Sequence, residues 1–313
     1  MTVGQRIGWS ALALALLALA AAGLASNARL FVLTLFNGVT LAALYFLVAS
    51  GFTLVFGLMR NVNLAHGSLY LLGAYVGYSV GEASGSWTLA VVAGFLASAL
   101  AGALMQTLVF RRMEGQELRQ TLVTIGLSIV MADVFLWIWG GDTYQFDAPA
   151  WMSGRMPMPF VHFYPTFRIL VLLAAVVIGA LLWLLLNRTR VGMMIRAGVD
   201  DRQMLSASGV NVQRVFVLTF AIGAGLAGLG GVIGGTALSI APGEDVRYLL
   251  ASLVVVIVGG IGSVAGAAIG ALLIGLAETF GLAYTPTYGV VFTFVLLVAA
   301  LAFRPEGLMG ARR

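Results

Sequence analysis

Long apolar runs, separated by short polar interruptions, fill most of the chain. A helix that crosses a bilayer needs about 20 mostly apolar residues, so these runs predict a series of membrane-spanning helices. The runs are continuous and rich in Leu, Ala and Gly, whereas strands of a membrane barrel alternate apolar and polar positions. The predicted spans are Ile7–Ala25, Leu30–Leu58, Ser68–Val80, Trp87–Phe110, Thr121–Trp139, Phe167–Leu186, Val215–Ala241, two spans within Tyr248–Ala283, and Tyr288–Phe303.

The pattern therefore predicts an all-α integral membrane bundle of about ten spans, and three runs leave the number open between eight and ten. Ile7–Ala25 is either retained or removed as a signal peptide, because it follows an arginine and ends in small residues. Leu30–Leu58 is too long for one straight span, so it tilts or breaks near Asn37–Gly38. The glycines between Gly259 and Ser263 divide Tyr248–Ala283 into two spans, of which the second is either spanning or re-entrant.

Two interruptions are long enough to have structure of their own. Residues 140–166 carry four prolines and several charged side chains, which predicts a loop rather than a span. Residues 188–214 form the longest charged interruption, with five arginines and two aspartates. This second segment is either a plain connection between two membrane helices or a helix that docks onto a partner. The rest of residues 1–313 is expected to form a single transmembrane domain.

The distribution of arginine predicts the orientation, because loops that carry more positive charge stay in the cytoplasm. With ten spans and both termini inside, four arginines lie outside, at positions 29, 155, 168 and 247. The thirteen on the inner side are Arg6, Arg60, Arg111, Arg112, Arg119, Arg188, Arg190, Arg196, Arg202, Arg214, Arg304, Arg312 and Arg313. Residues 188–214 are therefore expected in the cytoplasm and residues 140–166 outside.

Composition supports the membrane assignment. Hydrophobic residues make up 61% of the 313 residues and charged residues only 9%, whereas soluble domains carry about 25% charged residues. The net charge of +5 comes from arginines at the ends of apolar runs, so we expect membrane lipid and not nucleic acid around the chain. The absence of cysteine excludes disulfides and thiol chemistry.

The chain carries no motif for a chemical energy source or for catalysis. It contains no lysine, so it cannot contain the phosphate-binding loop of ATPases, which requires one. Its two histidines, His66 and His162, lie far apart, and no cluster of residues has the spacing of a metal site. No nucleophile motif is present. An intramembrane enzyme is therefore poorly supported, and neither a cofactor nor a metal is expected.

Two acidic residues, Asp133 and Glu278, fall within predicted spans. Ionisable residues at such positions are costly and often functional. Each is therefore expected either to line a polar path or bind a substrate ammonium, or else to lie near an interface or bond a neighbouring helix. Two acids without a basic partner are few for a proton-driven carrier.

Glycines crowd the seventh, eighth and ninth spans, among forty in the chain. Because glycine weakens a helix by about 1 kcal/mol per site, this density indicates either tight helix packing or breaks that expose backbone groups. The expected breaks are at Gly230–Gly231 and Gly259–Gly260. A division into five plus five inverted spans is also possible, with a faint echo of Gly67–Tyr75 in Gly262–Ala271.

Several stretches together resemble the permease family of branched-chain amino acid ABC transporters, of the LivH type. Asn63–Gly67 followed by Leu71–Tyr75 resembles its N-(F/L/M)-A-H-G…G-A-Y signature. Gly259–Gly266 is similar to G-G-x-G-S-x-x-G, and Arg304–Leu308 to R-P-x-G-L. Residues 196–210 resemble the family's ATPase-contacting loop, although Arg-Ala-Gly stands where many ABC permeases have Glu-Ala-Ala.

The resemblance implies a permease subunit of an importer in the bacterial inner membrane. Its partners would be a second, related permease in a heterodimer or homodimer, two cytoplasmic ATPases that bind ATP, and an external substrate-binding protein. The implied ATPase-coupling residues are Arg196, Ala197, Asp200, Asp201, Arg202, Met204 and Gly209. The expected translocation path comprises Asn63, His66, Asp133, Gly230, Gly231, Gly259, Gly260 and Glu278.

The substrate class stays open at this point. Branched-chain or similar small amino acids are expected first, while the same family also includes carriers of urea, short amides and aromatic acids. From a different class, an ion-coupled secondary carrier or a channel acting alone is the alternative.

Overall fold

The computed structural model describes residues 3–59, 62–113, 115–158 and 161–310, most of which are helical. The α-helices are α1 (Val3–Met59), α2 (His66–Ser84), α3 (Trp87–Leu104), α4 (Glu117–Trp139), α5 (Thr166–Arg188), α6 (Arg190–Asp200), α7 (Arg202–Ala207), α8 (Val212–Ala237), α9 (Glu244–Gly259), α10 (Val264–Tyr284) and α11 (Gly289–Phe303). A π-helical turn (Met105–Val109) and a 3₁₀ turn (Phe110–Met113) extend α3, and another 3₁₀ turn (Pro286–Tyr288) precedes α11.

Six helical segments of the described residues are long and apolar enough to cross a membrane. The short apolar helix Val291–Phe303 follows them, while α2 and α9 bury more than half of their residues inside the bundle. The chain is thus a helical membrane protein. The six segments are Asn27–Gly57, Trp87–Met113, Glu117–Trp139, Thr166–Arg188, Val212–Ala237 and Val264–Tyr284.

The break in the long first helix lies at Asn27, where the backbone leaves the helical region (φ −157°, ψ 86°). Its side chain caps the following segment, since Oδ1 accepts from Leu30 N over 3.0 Å. The predicted break near Asn37–Gly38 is wrong, because Asn37 accepts hydrogen bonds from Arg168 and Tyr164 and the helix continues through it. Apart from Gly23, the side chains of Ile7–Ala25 lie outside the described residues, so retention of that span stays a prediction.

Helix α8 is the centre of the bundle and packs against α1, α2 and α3. The contacts are so close that glycines face each other: a Cβ at Gly73 would overlap the backbone of Gly228, and a Cβ at Gly51 would overlap Gly223 O. Small residues allow membrane helices to approach in this way, which maximises van der Waals contact between them. Most of the glycines that crowd the sequence of α8 therefore serve packing.

Helices α3, α4 and α5 form much of the perimeter. Large apolar side chains project outwards from them, for example Leu100 (63% exposed), Ile129 (58%) and Val176 (62%). Contiguous exposed apolar surface of this kind is unfavourable in water. It is the surface expected of helices that face lipid.

The predicted loop at residues 140–166 contains a small hairpin that the sequence did not predict. Its antiparallel strands are β1 (Arg155–Met158) and β2 (Val161–Pro165). Tyr144 and Ile240 exchange two backbone hydrogen bonds, which join this loop to the connection between α8 and α9. Loop and connection thus share one end of the bundle, and α6 and α7 lie at the opposite end.

The packing of α8 leads to a stability prediction. Gly73→Ala places a methyl group against the backbone of α8, and overpacking of this kind costs about 1–3 kcal/mol. We expect the melting temperature of the purified chain in detergent to fall by several degrees. Gly126→Ala on the perimeter is the matched control, because nothing lies within 4 Å of its Cβ and alanine favours a helix. Equal melting temperatures for the two variants would contradict this account of α8.

Candidate functional site

The helix α2 begins in the interior of the bundle rather than at its surface. Residues 62–65 are not helical, and His66, the first residue of α2, is fully buried. Its Nε2 atom lies 3.1 Å from the carbonyl oxygen of Val48, which is nine residues before Gly57, the end of a candidate span. At a rise of about 1.5 Å per residue, this contact is about 14 Å from that end of the bundle.

A second contact gives the depth of the first turn of α2 from the other end of the bundle. Ser98 Oγ donates to the carbonyl oxygen of Leu69 over 2.9 Å. Ser98 is eleven residues after Trp87, where α3 begins, so it lies about 17 Å from the N-terminal end of that helix. The segment 62–68, termed here the α2 start, is therefore near the middle of the bundle.

The α2 start carries buried polar atoms that have no hydrogen-bond partner among the described residues. They are Asn63 Nδ2, His66 Nδ1 and Ser68 Oγ, on side chains that are 3%, 0% and 1% exposed. Asn63 Oδ1 is occupied, because it accepts from Ala65 N over 3.1 Å. Since a buried polar group without a partner costs about 1–3 kcal/mol, three at one place indicate a site that binds something polar during function.

The chemistry of the α2 start suits a small anionic or hydrogen-bonding group. The cap residue Ala65 has no side-chain acceptor for the first amides of α2, and a helix N-terminus carries a partial positive charge. Backbone amides, the Asn63 amide nitrogen and the Ser68 hydroxyl can donate to a carboxylate, whereas His66 Nδ1 is an acceptor because Nε2 donates to the Val48 carbonyl.

A row of tyrosines leads from the α2 start to α9 and α1. The rings of Tyr70 and Tyr248 stack with centroids 3.9 Å apart, and Tyr45 contacts Tyr248 edge-on at 5.8 Å. All three side chains are buried. Tyr45 OH donates to Glu278 Oε2 over 2.6 Å. Sequence reasoning missed these tyrosines, because three tyrosines on three separate helices show no pattern along the chain.

Glu278 is held in an ion-pair network and is not a free acid. Its Oε1 atom lies 3.2 Å from Arg247 Nη2, and Arg247 Nη1 lies 3.5 Å from Glu244. The basic partner was not anticipated, because Arg247 is thirty-one residues away in sequence. This network lies at the end of the tyrosine row that is farthest from the α2 start.

A further acid lies beside the α2 start. Asp245 is 6% exposed and occupies the first turn of α9, and a Cβ on Gly67 would overlap its carbonyl oxygen. The N-termini of α2 and α9 thus meet inside the bundle. Sequence reasoning missed Asp245 because it falls between the predicted spans Val215–Ala241 and Tyr248–Ala283.

Three other predicted path residues lie elsewhere. Asp133 is exposed on the perimeter of α4 and faces away from the α2 start. The predicted break at Gly230–Gly231 is wrong, because α8 is a continuous helix from Val212 to Ala237. Gly230 packs against Val48, and Gly231 packs against Tyr70 O, so both are packing residues that allow α1 and α2 to approach α8.

The predicted break at Gly259–Gly260 is present, since α9 ends there and Gly260 has φ +105°. The space beside it is filled by the C-terminal segment: Leu308 N donates to Val258 O, and Met309 N donates to Gly259 O, each over 2.9 Å. The glycine turn and the C-terminal Arg304–Leu308 motif are therefore two parts of one contact rather than the wall of a cavity.

The charged interruption folds as two short helices with defined ends. Thr189 caps α6 by accepting from Gly192 N over 3.1 Å. Asp201 caps α7 by accepting from Gln203 N and Met204 N over 2.8 and 3.0 Å. Polar caps of this type stop one helix and start the next, and Gly209 (φ +79°) turns the chain into α8.

Helix α6 and its partner α7 are fixed to the base of α8. Ile195 is buried in a cluster with Val215 and Phe216, the latter two from the first turns of α8. Arg202 lies over the ring of Phe216, with its Cζ 4.8 Å from the ring centroid. A displacement of α6 and α7 would therefore act directly on α8.

The opposite face of this helix pair is exposed. Arg196 and Ala197 are exposed, and Arg196 Nη1 donates to Asn187 over 2.8 Å. Met193 and Met204 are 54% and 70% exposed, and methionine is enriched at protein interfaces. The side chain of Asp200 lies outside the described residues. The exposed face of α6–α7 is thus a mixed apolar and basic surface suited to a protein partner.

Comparison with known proteins identifies the family. Residues 34–301 match the family described as the permease component of the branched-chain amino acid transport system. The chain is 31% identical over 297 residues to the high-affinity branched-chain amino acid transport system permease protein LivH of Escherichia coli K12, which covers 90% of this chain and 96% of that protein. It is also 31% identical to the permease protein BraD of Pseudomonas aeruginosa, and that match covers 88% of this chain and 94% of BraD.

A more distant relative is the ribose import permease protein RbsC of Escherichia coli K12, 28% identical over 77% of this chain and 75% of that protein. No solved structure matches the chain significantly. The match with the family covers most of the chain and both candidate regions, the α2 start and the α6–α7 pair. The chain is therefore a transport permease, not an enzyme, and it belongs to the permease family of branched-chain amino acid transport systems.

Proposed function

We propose that this chain is the membrane-spanning permease subunit of an ABC importer in the bacterial inner membrane. It carries branched-chain or similar small amino acids inward, and separate ATPase subunits supply the energy. The observation that carries the proposal is the α6–α7 pair, which is exposed on one face and fixed to the central helix α8 on the other. The chain has no lysine and hence no phosphate-binding loop, so the ATP must be bound by a partner.

The proposed coupling runs from α6–α7 through α8 to the α2 start. The ATPases contact Arg196, Ala197 and Met204 in this scheme, and their closure displaces α6–α7. Helix α8 transmits the displacement, because its base holds Phe216 and its glycine face holds α2. The proposal therefore places α6–α7 and both termini in the cytoplasm, in agreement with the arginine distribution.

The α2 start is proposed as the point where substrate passes the middle of the membrane. The donors at Asn63 and Ser68 suit a carboxylate, and Asp245, beside the α2 start, suits an ammonium group. An amino acid carries both groups. Because an external binding protein selects the substrate, a few weak contacts at this position are sufficient.

We infer that the bundle is a five plus five inverted repeat with ten spans. In this scheme, the second half of α1 corresponds to α8, α2 to α9, α3 to α10 and α4 to α11. The packing supports it: α3 on α8 has its counterpart in α10 on α1, and α2 on α3 has its counterpart in α9 on α10. Tyr70 with Tyr248 and Gly67 with Asp245 then meet near the pseudo-twofold axis. The faint sequence echo noted above relates α2 to α10, so it does not mark corresponding positions in this scheme.

Reconstitution tests the proposed function. The chain is placed in liposomes with a related permease, two ABC ATPases and a binding protein for branched-chain amino acids, and uptake of radiolabelled leucine is measured. We expect uptake only when ATP and binding protein are both present. Leucine uptake by liposomes that contain this chain alone, driven by an imposed proton or sodium gradient, would contradict the proposal and favour a secondary carrier.

A second prediction concerns the cap of α7. Asp201→Ala removes both cap hydrogen bonds, which costs about 1 kcal/mol. The ratio of folded to frayed α7 then falls about fivefold, and uptake per ATP hydrolysed falls with it. Asp201→Asn is the matched control, since asparagine caps equally well without the charge, and it should retain normal coupling. Normal coupling in Asp201→Ala would show that the position of α7 does not affect the coupling of ATP hydrolysis to uptake.

A further inference from the structure

A cavity of about 480 Å³ opens on the surface between the extension of α3 and the first turns of α8. It lies at the α6–α7 end of the bundle and has a polar half and an apolar half. Thr107, Arg111, Asn211 and Arg214 line the polar half, and Val217 and Leu218 line the apolar half. The π-helical turn of Met105–Val109 forms part of its wall. This cavity is termed here the basic groove.

The polar half of the basic groove is strongly positive. Arg111 and Arg214 are both exposed, and neither has a salt bridge within the described part of the chain. The N-terminus of the 26-residue helix α8 opens into the same space, with Asn211 Oδ1 accepting from Arg214 N over 3.1 Å. Two arginines and a helix N-terminus thus line one cavity, an arrangement that attracts an anion with several acceptor oxygens.

The apolar half continues onto the lipid-facing surface. Leu218, which lines the groove, is 42% exposed. Leu104 and Leu108, at the end of α3 and in its extension beside the groove, are 48% and 54% exposed. These leucines lie within the candidate spans Trp87–Met113 and Val212–Ala237. An occupant with a charged head and an apolar tail would therefore satisfy both halves at once, which a free anion cannot do.

We propose that the basic groove binds the headgroup of an anionic phospholipid. The phosphate oxygens accept from Arg111, Arg214 and the first amides of α8, and an acyl chain lies along Leu104, Leu108 and Leu218. Basic pockets between membrane helices bind such headgroups, and each arginine contributes about a fivefold to tenfold gain in affinity. Because the groove joins the base of α8 to the extension of α3, the bound lipid would bridge the two helices. This proposal depends on only one part of the proposed function, namely that this end of the bundle faces the cytoplasm.

The test measures lipid binding and does not require transport. The purified full-length chain is titrated with dioleoylphosphatidylglycerol, and lipid adducts are counted by native mass spectrometry. The double variant Arg111→Gln/Arg214→Gln should bind this lipid about thirtyfold more weakly than the wild type. Dioleoylphosphatidylcholine should bind both proteins equally. Arg112→Gln is the matched control, because it removes one charge beside the groove without changing its lining.

Melting temperatures establish that the variants are folded, and the single variants Arg111→Gln and Arg214→Gln replace the double variant if it is unstable. Equal phosphatidylglycerol binding by the variants and the wild type would overturn the proposal. Competition by inorganic phosphate at millimolar concentration would overturn it in favour of a soluble anion. If the variants bind lipid as the wild type does but no longer bind the ATPases in a pull-down, the proposal is overturned in favour of a protein contact.

Discussion

The rest of the structure depends on the backbone contact between α8 and its neighbours. Gly228 lies against Gly73 of α2, and Gly223 lies against Gly51 of α1, at distances that no other residue allows. Lipid gives membrane helices no hydrophobic reason to associate, so close van der Waals contact has to hold them together. This contact keeps α2 in place although α2 begins in the middle of the bundle, where its first residues have few hydrogen-bond partners.

One helix therefore connects the two candidate functional regions. At its base, α8 holds α6 and α7 through Phe216, Val215 and Ile195. Higher up, its glycines pack against Tyr70 and Gly73 of α2, just beyond the α2 start. There Asn63, His66 and Ser68 keep polar atoms that have no partner among the residues the structure describes. In the proposed mechanism, a movement at one end reaches the other through a single rigid element, and no flexible relay is required.

Much of this fold could be predicted from the sequence, because apolar run length and arginine placement depend only on local composition. The start of α2 close to the predicted Ser68, the end of α9 at Gly259–Gly260 and a helix within residues 188–214, one of the two alternatives, were all accessible in this way. The break at Asn27 also falls in the gap between the predicted spans Ile7–Ala25 and Leu30–Leu58. The continuity of α1 through Asn37–Gly38 and of α8 through Gly230–Gly231 was not accessible, because a glycine looks the same in the sequence whether it bends a helix or packs it. The tyrosine row and the Arg247–Glu278 pair were inaccessible for another reason: their members come from different helices and meet only in the folded chain.

The central claim is that the α2 start lies on the translocation path, and thiol accessibility tests it most directly. The chain has no cysteine, so Ser68→Cys introduces a unique thiol, and Ser98→Cys is a buried control whose hydroxyl only joins α3 to α2. The assembled transporter in liposomes is exposed to a membrane-impermeant thiol reagent, first without nucleotide and then trapped with ATP and vanadate. The account predicts that Ser68→Cys reacts at rates that differ between the two states, while Ser98→Cys stays unreactive in both. A Ser68→Cys thiol that stays unreactive in both states would contradict it.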